Sequence, residues 1–147
     1  MRSIQRSWIT MPLAALAALA LSAGVAMAGG RPISIDLTGA AEAPSPGDPD
    51  GSGTVAFTFN AGQGEVCYDF TVTGVEPLTA AHIHVAPAGS AGDVVIPTPP
   101  TSATGGSGCV SADRDLIVAI LTDPSAYYFN VHNAPFPGGA LRGQLTR

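Results

Sequence analysis

The sequence predicts an all-β domain with one short helix: a two-layer antiparallel sandwich or, as the alternative, a small closed barrel. Three observations lead there. Apolar and polar residues alternate at the period of half-buried strands in several short runs. Gly and Pro number 18 and 13 among 147 residues, too many for a helical bundle, yet the valines, isoleucines and aromatics between them are too regular for a disordered chain. The length left after an export-type leader suits one domain with an ordinary hydrophobic core.

The leader is read first. Arg2 and Arg6 form a positive n-region, Met11 to Val25 is an almost unbroken apolar run, and Ala26-Met27-Ala28 is a small-x-small cleavage site. Residues 1–28 are therefore expected to be a signal peptide and residues 29–147 the mature domain, secreted or periplasmic. The apolar run is shorter than the roughly 20 residues a spanning helix needs, so no membrane association is expected once the signal is removed. Beyond it there is no lysine; Arg31, Arg114, Arg142 and Arg147 face eleven Asp and Glu, an excess of seven negative charges. Nucleic acids and anionic membranes require a basic face, so neither is expected as a partner.

Strands follow in order. Ile33, Ile35 and Leu37 alternate with polar residues, as do Val55, Phe57 and Phe59, and then Val66, Tyr68, Phe70 and Val72. Between the second and third runs, Asn60 to Gly64 is a Gly-bearing connection of hairpin length, which makes these runs antiparallel neighbours. Ala80 to Val85 and Asp93 to Ile96 read as short strands around the turn Pro87 to Gly92. Pro97 to Gly108 is rich in Pro, Gly, Ser and Thr and reads as a solvated loop, as does Pro44 to Gly53. Asp113 offers an N-cap, and Leu116, Ile117, Ile120 and Leu121 follow at helical spacing until Asp123-Pro124. Tyr127 to His132 and Ala140 to Leu145 close the chain as a hairpin, for about seven strands in all.

Cys67 and Cys109 are the only cysteines. In an oxidising compartment they are expected to pair, with Cα atoms about 4.4 to 6.8 Å apart.

Chemistry concentrates in the three histidines. His82 and His84 are two residues apart on one strand, so they project from the same face about 6.7 Å apart along it. His132 ends another strand. Such a trio can converge on one copper or zinc ion, but the residues alone favour the plainer reading, neutral histidines hydrogen-bonded to backbone, Asp93 or Asp123 that serve to fix loops. Other templates fail. No Gly-x-Ser-x-Gly elbow surrounds any serine, no free thiol is expected, and Asp48 to Gly53 lacks the closing Glu of a calcium loop and reads as an exposed turn. No catalytic residue is therefore assigned and no enzyme is expected; copper or zinc is the one cofactor class the residues suggest.

Taken together, Leu37 to Pro44, Gly53-Thr54-Val55, Ala81-His82-Ile83-His84, Tyr128 to His132 and Pro137 to Leu145 resemble the CHRD (chordin) domain in order and spacing, over essentially all of residues 29–147. The resemblance implies an extracellular protein and an immunoglobulin-like sandwich or barrel related to copper/zinc superoxide dismutase. Dismutase activity does not follow, because three histidines cannot fill both dismutase metal sites. The function expected is that of a non-enzymatic extracellular binding or structural module engaging a partner through its strand faces and acidic loops; the alternative is an extracytoplasmic copper- or zinc-binding protein using His82, His84 and His132. Arg142 in the final motif is expected to pair with Glu42, since both lie in segments that carry the resemblance; the alternative is a solvated arginine.

Overall fold

A computed structural model describes residues 29–147; the expected signal peptide lies outside the described residues. Eight antiparallel strands form one nearly closed, barrel-like sheet. The strands are β1 (Arg31–Thr38), β2 (Ser52–Asn60), β3 (Glu65–Thr73), β4 (Leu78–Val85), β5 (Asp93–Pro97), β6 (Gly105–Ser111), β7 (Tyr127–Asn133) and β8 (Leu141–Gln144). Their order across the sheet is β5-β4-β7-β8-β1-β2-β3-β6. The helix α1 (Arg114–Thr122) crosses from β6 to β7. Asp113 caps it as expected, its carboxylate accepting from the backbone N–H of Asp115 at 2.8 Å and Leu116 at 3.3 Å. Arg147 closes the other end by donating to the carbonyls of Leu121 and Thr122, where a cation also suits the helix dipole.

The alternating runs face inward as read. Ile33, Ile35, Leu37, Val55, Phe57, Phe59, Val66, Tyr68, Phe70 and Val72 all enter one core, together with Ile117 and Ile120 of the helix. Phe129 of β7 lies 5.4 Å, centroid to centroid, from Phe57 of β2 and 5.2 Å from Phe70 of β3. Neither strand is next to β7 in the sheet, so these contacts cross the interior and hold the two halves of the barrel together. Edge-to-face geometry of the first pair adds to the area each ring buries.

Closure depends on residues 98–104. The Thr98 N–H donates to Ala81 of β4, while Ala103 and Thr104 accept from Leu78 of β4 and Val72 of β3. The segment thus links the sheet's two ends.

Two loop expectations are corrected. The stretch 97–108 was expected to be solvated loop, but its second half opens β6, pairing Gly105 to Gly108 with Thr71 to Tyr68. Gly105 and Gly106 are buried with no room for a side chain: a Cβ on Gly106 would stand 2.8 Å from the Phe70 ring. The strand packs its bare backbone on its neighbour, so no side-chain alternation announces it. Nor is 44–53 simply solvated. Asp48 is buried, its N–H donates to the carbonyl of Ala140 at 2.8 Å, and its side chain accepts from the Asp50 N–H.

Cys67 and Cys109 are directly opposed on β3 and β6 and form the expected disulfide. Their Cα atoms are 3.9 Å apart, closer than the expected range. The bond closes a loop of 42 residues' separation; replacing both cysteines with serine should lower stability by about 2 to 4 kcal/mol, read as the shift of a urea unfolding curve at constant slope.

Candidate functional site

Strand periodicity builds the site. With Ile83, Phe129, Val131 and Leu141 turned into the core, the alternate positions His82 and His84 of β4, Tyr128, Asn130 and His132 of β7, and Arg142 and Gln144 of β8 share the outer face. Register places His84 opposite Tyr128, His82 opposite Asn130, and Asn130 opposite Arg142. This face is not left to water. The turn between β4 and β5 folds over it, and Tyr128, Asn130 and Arg142 are 3%, 1% and 1% exposed.

Arg142 anchors the turn. Its guanidinium donates to the carbonyls of Ser90 at 2.8 Å and Pro87 at 3.0 Å and to the Gln144 side chain at 3.1 Å. It also lies 3.4 Å over the Tyr128 ring, a cation–π contact. On Tyr128's ring packs His84, with centroids 4.7 Å apart and planes 6° from parallel. Gly92 then ties the two rings: its N–H donates to the Tyr128 hydroxyl and its carbonyl accepts from His84 Nδ1 at 2.9 Å. Only glycine fits there, since a Cβ would meet the Val85 carbonyl oxygen at 1.9 Å.

The structure brings the three histidines together. One ring nitrogen of each lies within 4.8 Å of those of the other two. His132 Nδ1 donates to the carbonyl of Pro137 at 3.1 Å, which leaves its Nε2 as an acceptor; His82 Nδ1 donates to that Nε2 at 3.3 Å. His84 Nδ1 is likewise committed to a carbonyl, and its Nε2 is buried without a hydrogen-bond partner. Burial, together with His132 and His84 nearby, pushes His82 down to about 4. Burial lowers His132 as well, against the hydrogen bond to Pro137. Both rings are neutral at neutral pH, the form in which imidazole offers a lone pair. The acceptors that orient the outer nitrogens are backbone carbonyls and not Asp93 or Asp123.

Glu42 and Arg142 are both buried and act on each other electrostatically, but the expected pair takes another form. The guanidinium's hydrogen bonds go to Ser90, Pro87 and Gln144, and Glu42 Oε1 has no hydrogen-bond partner. Burial therefore pushes the Glu42 carboxyl up to about 7, although Asn130, Arg142 and the Ala43 backbone each pull it down. Gly139, at φ +145°, gives it room: a Cβ there would stand 2.4 Å from the carboxyl carbon. Tyr128, Asn130, Gln144 and Gly92 were not singled out as site residues from the sequence. The first two could have been, by carrying the period-two pattern back from His132.

Fold and site together define a β-barrel domain with a buried polar layer and a histidine cluster on one outer face. The chain belongs to the CHRD domain family, whose profile matches residues 33–145. No curated protein and no solved structure matches it. Among the described residues no helix is long and apolar enough to cross a membrane.

Glu42 generates a pH prediction. The unfolded carboxyl titrates near 4.5 and the folded one near 7, so between these values the folded state holds the proton more tightly. Its contribution to stability is then lost as pH rises through this window and is level above it. Relative to wild type, Glu42→Gln should gain on the order of 3 kcal/mol between about pH 4 and about pH 8, measured by urea unfolding at both. An unchanged difference between the two proteins would contradict the assignment.

Proposed function

We propose that this CHRD-domain protein is exported by residues 1–28 and acts outside the cytoplasm as a non-enzymatic metal-binding protein, holding copper or zinc on His82, His84 and His132. The observation that carries the reading is the Nε2 of His84, buried and unpartnered beside two further imidazoles. A buried polar atom without a partner is costly, and an ion that accepts its lone pair removes the cost. The 3.3 Å between His82 Nδ1 and His132 Nε2 is close to the separation of two nitrogens bound to one ion at about 2.0 to 2.1 Å. In the ion-free form a proton occupies that place. Binding would move it to the other nitrogen of His82, and modest ring rotations would bring the third nitrogen in.

Second-sphere order also favours the reading. His84 and His132 each donate their other ring nitrogen to a carbonyl, the arrangement that fixes the tautomer of a metal-binding imidazole. Titrating the purified, untagged protein with copper or zinc should give one equivalent bound, and His132→Ala should weaken it by at least about tenfold. Affinity unchanged by His132→Ala would leave these histidines a loop-fixing role and the domain the part of a structural or partner-binding module.

Gly92 supplies a separate test because it touches no ion. Gly92→Ala forces the strand-following turn away from Val85 and removes the carbonyl that orients His84. Metal affinity should drop about 10- to 100-fold while the far-UV CD spectrum stays that of wild type.

A further inference from the structure

Resting on the three-histidine site just proposed, we infer that its preferred occupant is monovalent copper and that it discriminates against zinc by charge. The group of three is made of histidines alone, with no carboxylate or thiolate among the ligands brought together. The outer nitrogens of His84 and His132 meet backbone carbonyls. A cation lies one aromatic ring away: Arg142 covers one face of Tyr128, and His84 packs on the same ring.

A ligand set of zero charge leaves the ion's whole charge uncompensated. The cost of holding an ion away from water rises as the square of its charge, so a dication is penalised about four times as heavily as a monocation of similar size. Zinc must also complete a tetrahedron with a water or an anion from solvent. Monovalent copper is satisfied by three imidazoles in a plane and needs neither. Imidazole by itself accepts either metal; the missing negative charge makes the choice. Where copper arrives as Cu(II), one electron from a reductant such as ascorbate converts it to Cu(I), with no bond to the protein formed or broken beyond the metal–nitrogen bonds.

The experiment uses the intact, disulfide-bonded domain without oxygen. Cu(I) affinity is measured by competition with bathocuproine disulfonate and Zn(II) affinity by competition with a chromogenic zinc chelator. Cu(I) should bind at least about tenfold more tightly than Zn(II). His82→Asp places a carboxylate in the ligand set and should lower the Cu(I)-to-Zn(II) preference by at least about tenfold, with zinc binding retained or improved. Zinc binding as tight as copper in the wild type, or a preference unmoved in His82→Asp, overturns the charge argument and leaves the metal site standing. Binding of neither ion overturns the site itself. Should His82→Asp fail to fold by CD, His132→Asp carries the same comparison, and the wild-type ratio stands as a test alone.

Discussion

Burial of β7 on both faces is the constraint around which the domain is arranged. Phe129 and Val131 are wholly inside the barrel, while Tyr128 and Asn130 on the opposite face are almost equally excluded from water. A strand of a small antiparallel barrel ordinarily has one wet face. Here the chain supplies a second cover from loops, chiefly the turn after β4. Polar side chains under that cover must be satisfied internally, and this accounts for the density of side chain to carbonyl bonds made by Arg142 and Gln144. The histidines sit where this dry layer reaches the surface: His84 is within it, and His82 and His132 are half-buried at its margin.

A buried guanidinium is usually matched by a carboxylate. In this layer it is matched by dipoles: two carbonyls, an amide and an aromatic face. That choice has a cost at Glu42, whose carboxyl is desolvated without an ion pair to compensate it. It has a benefit in geometry, because Arg142 fixes the position of Tyr128 and hence the ring on which His84 rests. The arginine is a positioning group for the cluster, separated from it by one side chain, Tyr128.

Much of the barrel was legible in the sequence because period-two alternation is a direct record of one face being buried. The strands around Phe57 and Phe70, their hairpin, and the capped helix after Asp113 all carry such local signals. The strand at Gly105 to Ser111 carried none, since its buried positions are occupied by backbone and the sequence there has loop composition. The site divided in the same way. His82 and His84 share a face by arithmetic alone, whereas the proximity of His132 depends on the register of β4 with β7, which no local pattern encodes. The carbonyl partners of Arg142 lie more than fifty residues away in the chain, at Ser90 and Pro87, and pairing it with Glu42 rested on both lying in segments that carry the family resemblance, where the fold supplied carbonyls.

The link formed by residues 98–104 leaves the barrel with a seam. On one side of it runs the edge strand β5, on the other β6, a glycine-rich strand with little side-chain bulk to shield it. While the link is whole, its bonds to Ala81, Leu78 and Val72 cover much of that opening. A protease cut there would remove no core residue, yet it would uncover two sheet edges on one molecule at once. Edges of this kind recruit strands from other copies. The same loop thus ties closure of the sheet to the shielding of its edges, a vulnerability set by topology and independent of how much apolar surface the core conceals.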